Sequence, residues 1–177
     1  MNPGENTKLK QQIATLRSNN RSAILETLKE LRSEGDVSVL PELFQLLLVQ
    51  EDAEIRGEIT ALLNDLKEKE AAEILVETIS NPDFRQIQNI LVASCWQNGL
   101  SYGKHIPVFV DVLVSGSYAT AIEAFTVIEE AVGELEQKDR EALVRSLNSF
   151  VHKVDDQKKA LLVELVKVIE SYGIPAP

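Results

Sequence analysis

Two histidines, one cysteine and a surplus of carboxylates are the residues of this sequence that could do chemistry. His105 and His152 stand far apart. Neither has a second His or a Cys at the i+3 or i+4 spacing that sets two ligands on one helix face around a metal ion. Each reads better as a helix-end or surface histidine. Cys95 has no second cysteine to pair with, so no intrachain disulfide and no thiolate cluster can form, and beside Trp96 it reads as a small buried hydrophobe. Ser101-Tyr102-Gly103-Lys104 lacks the repeated glycines that let backbone amides wrap a phosphate. Glu129-Glu130 and Asp155-Asp156 are carboxylate pairs, yet adjacent helix residues point about 100° apart and do not converge on one substrate atom. No elbow motif holds a Ser-His or Cys-His nucleophile pair. The expectation is a chain that is no enzyme and uses no cofactor and no metal.

Whatever these side chains do, helices position them. Apolar residues at i, i+4 and i+7 mark one helix face, and that template fits Leu9/Ile13/Leu16, Leu40/Phe44/Leu47, Ala72/Val76/Ile79, Ile106/Val110/Leu113 and Leu143/Leu147/Phe150. The first anchors are 31, 32, 34 and 37 residues apart. A second series falls between them: Ile24/Leu28/Leu31, Ile55/Ile59/Leu62, Ile87/Leu91/Ser94, Ala121/Phe125/Ile128 and Leu161/Leu165/Val168. It follows the first by 15 residues four times and then by 18. Independent amphipathic helices would not hold that phase, so the chain repeats a helical hairpin about five times. The third hairpin is the weakest, because Ser94 breaks the template and Phe84 could anchor the face one turn earlier.

The punctuation agrees. Gly35, Gly99, Gly116, Gly133 and Gly173 fall at or just past periodic segments, where a left-handed residue closes a helix. Ser38, Asp52, Asn81, Ser117 and Asp155 or Asp156 precede the next segments as N-caps. Pro41 and Pro107 each follow a first anchor, early in a helix, where a missing N–H is tolerated. No run alternates as a strand does, and Asn98-Gly99 reads as a helix stop. The repeats run approximately over 8–34, 38–67, 69–99, 102–134 and 137–172, in one domain spanning 8–173, with frayed ends at 1–7 and 174–177.

Composition sets limits on function. A chain of 177 residues, 44% apolar, can bury the core of one domain. With 28 acidic and 18 basic residues the net charge is −10, and such a field repels phosphate backbones, which argues against nucleic acid as a partner. Lys158-Lys159 is the only adjacent basic pair and reads as a solvated helix face. The amino terminus lacks a targeting pattern, and no apolar run approaches the ~20 residues of a bilayer span. The expectation is a soluble, cytoplasmic protein with no membrane partner.

Hairpins of this length, with Leu40-Pro41-Glu42-Leu43 opening a first helix and Asp52-Ala53-Glu54-Ile55-Arg56 a second, resemble the HEAT-repeat family and its armadillo relatives. Asn81-Pro82-Asp83-Phe84-Arg85 repeats part of the pattern, whereas the first, fourth and fifth hairpins keep mainly the apolar columns. The resemblance implies an all-α right-handed α-solenoid, or α-α superhelix, of about five hairpins and ten helices. It implies first helices outside, second helices lining a concave groove, and Asp52, Arg56, Asp83 and Arg85 tying neighbouring repeats together. A helical bundle of the same hairpins is the competing arrangement.

On that template, residues two and nine after each second-helix anchor point away from the core: Glu26 and Ser33, Gly57 and Asn64, Asn89 and Trp96, Glu123 and Glu130, Val163 and Glu170. The middle of the chain is distinctive, since no charge occurs from Gln86 to Gly103 and six acids but no Lys or Arg occur from His105 to Gln137. Asn64, Asn89, Trp96, Glu123 and Glu130 are therefore the candidate partner-binding residues. Trp96 is either an exposed anchor or a filler of the core, with Val92, Ala93 and Cys95 favouring the core. The expected function is a non-catalytic protein-interaction or scaffold module for a partner protein or peptide, basic if the acidic run takes part, acting as a monomer or weak homodimer. The alternative is an enzyme of a HEAT-like family, lyase-like or, less in keeping with the negative charge, a DNA-repair glycosylase.

Overall fold

Helix starts follow the local chemistry of the chain. In a computed structural model that describes residues 3–34 and 36–172, with side chains over 7–33 and 36–172, Pro41 and Pro107 occupy the first turns of their helices. Asp52 accepts from the backbone N–H groups of Glu54 and Ile55, Ser117 from Thr120 and Asp155 from Lys158, satisfying amides that lack helical partners. The described residues form ten α-helices and no strand: α1 (Pro3–Leu16), α2 (Arg21–Glu34), α3 (Leu40–Val49), α4 (Ala53–Asn64), α5 (Glu70–Ser80), α6 (Gln88–Asn98), α7 (Ile106–Ser115), α8 (Tyr118–Ala131), α9 (Gln137–Phe150) and α10 (Asp156–Ser171).

Several boundaries differ from expectation. Asp36, not Ser38, is the cap of the second hairpin: its carboxylate accepts from the Ser38 hydroxyl at 2.6 Å and N–H at 2.9 Å, which hold its pKa below the usual carboxylate range. Asn81 caps the 3-10 turn Pro82–Phe84 rather than α6. Gly99 closes α6 with φ +68°, but Gly116 is extended and Gly133 lies inside a 3-10 turn. Gly35 and Gly173 lie outside the described residues, as do 174–177. At the other end α1 already begins at Pro3, so part of the segment expected to fray is helical.

Most of the apolar columns form the core, whereas Leu9, Ile13, Phe125 and Phe150 are only half-buried. Leu40, Phe44, Leu47, Ile55, Ile59 and Leu62 are buried in the second hairpin, and the third keeps its phase because Ser94 is fully buried and donates its hydroxyl to the Leu91 carbonyl at 2.8 Å. Phe84 joins that hairpin from the turn and meets Phe44 edge-on. In α10 the buried stripe is Leu162, Leu165 and Ile169, one step round from Leu161, Leu165 and Val168. The wider spacing of the fifth hairpin had lost the phase that fixed this face.

The chain divides into two compact units, Met1–Asn98 and Gly99–Pro177, between the third and fourth hairpins. In the first unit α1 packs on α3 and α3 on α5, while α2 packs on α4 and α4 on α6. Like helices of successive hairpins are thus neighbours. In the second unit α7 packs on α8, α9 on α10 and α8 on α10, but α7 and α9 make no comparably extensive contact.

Candidate partner-binding surfaces

Side chains that leave the second helices sideways bind the hairpins of the first unit to one another. Arg21, opening α2, reaches Asp52 at 2.7 Å and also pairs with Glu54 at the start of α4. At the far end of the same helices Arg32 reaches Asp65 at 2.6 Å. The next step up replaces charge with amides, since Asn64 Nδ2 donates to Gln97 Oε1 at 2.8 Å, between α4 and α6. The partners are 31 to 33 residues apart, which is the spacing of the hairpins themselves. Exposed pairs of this kind are screened by solvent and stabilise little, so their main effect is register. Arg21 and two backbone amides together hold the Asp52 carboxyl below the usual range.

A second set of contacts closes the second and third hairpins on themselves. Arg56 follows the anchor Ile55 and donates from Nη1 to the carbonyls of Leu47 at 2.6 Å and Gln50 at 3.0 Å, serving the open C-terminus of α3. Gln88 follows the anchor Ile87 and donates to the Ile79 carbonyl at 2.9 Å, doing the same for α5. The equivalent residue of the fourth hairpin is Ile122, which has no donor and is exposed. There Lys158 reaches from α10 to the Val114 carbonyl of α7 at 3.0 Å. Asp52 therefore does tie two hairpins and Arg56 closes its own, whereas Asp83 and Arg85 are exposed and their side chains form no ion pair among the described residues.

None of the ten positions expected to point away from the core is buried. Asn64, Asn89 and Trp96 belong to the first unit, where Asn64 and Asn89 are half-buried and Trp96 is 41% exposed. The expectation that Trp96 fills the core is thereby corrected: Val92 and Cys95 turn inward on α6 and complete the packing, leaving the indole at the surface. The Asn64 Oδ1 is buried without a hydrogen-bond partner, while its amide nitrogen holds Gln97. Glu123 and Glu130 belong to the second unit, half-buried and exposed respectively, on the helix that also presents Tyr118 and Ile122.

One acid of the negative run is committed to structure. The Glu134 carboxylate accepts from the Ser101 hydroxyl and from the backbone N–H groups of Gly103 at 3.1 Å and Tyr102 at 3.3 Å. The loop dismissed as a phosphate site does gather donors around an anion, and the anion is this chain's own. His105 lies half-buried at the start of α7, its ring 6.5 Å from that of Tyr102, and His152 is exposed just past α9. Among the described residues no group of three or more His, Cys, Asp or Glu is arranged to hold a metal ion, and no helix is long and apolar enough to cross a membrane. The chain matches no protein-family model, and no curated protein is significantly similar to it.

Proposed function

We propose that this chain is a non-catalytic protein-binding or scaffold module whose hairpins stack, within each unit, as a HEAT-like right-handed α-solenoid, and which holds a partner protein on its second helices. Trp96 carries this reading. A large aromatic is kept 41% exposed on a helix that also turns the amides Asn89 and Gln97 outward, within a stretch lacking charge. Interfaces are built around such anchors, with aromatics enriched and charge depleted at their centre. The layering of α2, α4 and α6 supports the solenoid part of the proposal. Glu123 and Glu130 add a separate acidic surface in the second unit that favours a basic partner.

The test is capture of partners from native lysate by the wild-type chain, Trp96→Ala and Glu123→Lys/Glu130→Lys, with folding of each verified by circular dichroism. A protein lost from folded Trp96→Ala supports the reading, and one lost also from the charge variant shows that the acids take part. Identical capture by all three would reject these surfaces as the binding site. Because Trp96 is the single tryptophan, its fluorescence should be quenched by acrylamide in the free chain and protected by the captured partner.

A further inference from the structure

Beyond the second-helix surfaces, the second unit carries a groove of about 500 Å³ between its two first helices, α7 and α9. It arises from the sequence of α9. The corresponding helices of the first unit pack directly, but α9 turns Ala142 and Ser146 toward this groove, and such short side chains do not fill the space between two helices. Ile106, Val110, Leu135, Leu143 and Phe150 form its apolar lining.

The rim is charged unevenly. Asp111 from α7 and Asp139 from α9 are exposed, and neither side chain is engaged in a hydrogen bond or ion pair among the described residues. Lys104 is the cation among the lining residues, against these two acids. From Asp139 to Phe150 the groove follows α9 for roughly 16 Å at the α-helical rise, about three turns of a docked helix. We propose that this groove is a docking site for a basic amphipathic helix of another protein, its apolar face laid on the accessible Leu135, Ala142 and Phe150 over a floor of buried Val110 and Leu143, and its Lys or Arg residues opposite Asp111 and Asp139. Helix-in-groove recognition works through apolar anchors at i, i+3 or i+4 and i+7, which matches the length and lining available. Charge also decides against a second copy, because a chain of net charge −10 repels itself and brings no basic excess to the two aspartates.

The test uses a display library of random twelve-residue peptides selected on the intact protein, followed by fluorescence anisotropy of the enriched peptides. Enriched peptides should pair helically spaced apolar residues with Lys or Arg. Their affinity should fall tenfold or more in Ser146→Trp, which fills the groove from an exposed position, and severalfold in Asp111→Asn/Asp139→Asn, with thermal melts showing both variants folded. Enrichment of acidic or uncharged peptides would overturn the proposal, as would enriched peptides that bind both folded variants unchanged, or no enrichment. Concentration-dependent dimerisation lost in Ser146→Trp would overturn it in favour of a second copy.

Discussion

Gly103 and Glu134 approach each other so closely that a Cβ on Gly103 would lie 2.7 Å from the Glu134 Cβ. The glycine is required here by a neighbour rather than by its own backbone, since among the described residues only Gly99 has a positive φ. Closeness is what brings the Glu134 carboxylate onto the Tyr102 and Gly103 amides. Gly103→Ala should therefore destabilise the second unit by about 1–3 kcal/mol, the usual penalty of forcing a methyl into filled space. Urea unfolding measures it, and an unchanged midpoint would mean the loop yields freely.

Removing the carboxylate tests the same contact from the other side. Glu134→Ala should leave the helices in place but speed hydrogen exchange at the amides of Tyr102 and Gly103, whose acceptor is gone. Exchange followed residue by residue by NMR checks this. Rates unchanged at both amides would show that the carboxylate does not hold the loop in solution.

Arg21 and Asp52 make stability depend on acid in a predictable direction. The hydrogen bond from Arg21, with those from the Ile55 and Glu54 amides, lowers the folded-state pKa of Asp52. A depressed carboxylate contributes stability above its ordinary value, about 3.9, and loses it as pH falls through the lowered folded value. Arg21→Ala should thus be less stable than wild type at neutral pH, with the gap closing below about pH 3.9. Urea midpoints of both proteins across that range decide it, and a constant gap would remove Asp52 from the account.

Gln88 is the sharper test of how hairpins are closed. It is buried, and its amide is bonded to the Ile79 carbonyl. Gln88→Leu keeps the bulk but strands that carbonyl, which should destabilise by about 1–3 kcal/mol. Thermal unfolding reports the loss, whereas a neutral result would mean that water or a shifted backbone replaces the amide.

Much of this architecture was legible because a helix that buries one face must repeat its apolar residues every three or four positions. Proline and Asx or Ser caps then fix where each turn begins. Phe44, Ile59, Val76 and Leu113 could be assigned to the core in this way, and they are buried. Trp96 could not be placed, because it adjoins Val92, Ala93 and Cys95 in a run too apolar to show which side faces out. Only packing decides that. Ser94 looked like a break because a hydroxyl is polar, yet it satisfies itself on its own helix and fits the core. Gln88 lies in the uncharged stretch from Gln86 to Gly103, where its residue type alone does not set it apart from the neighbouring amides. Its role was nevertheless present in the numbering, nine residues after Ile79 as Arg56 is nine after Leu47. The α7–α9 groove was hidden in Ala142 and Ser146, where the informative property is shortness rather than polarity.

The links between second helices also give the hairpins an order. Arg21 and Arg32 of the first hairpin find carboxylates only because Asp52, Glu54 and Asp65 come next. The second presents an asparagine upward, and the third answers it with a glutamine. Excising the second hairpin whole would preserve every apolar column and still bring Arg32 to the level of Gln97, a neutral amide. Units that look interchangeable by hydrophobic pattern are therefore addressed to particular neighbours, and a duplication or exchange of hairpins in this chain would have to rewrite those addresses before it could be accommodated.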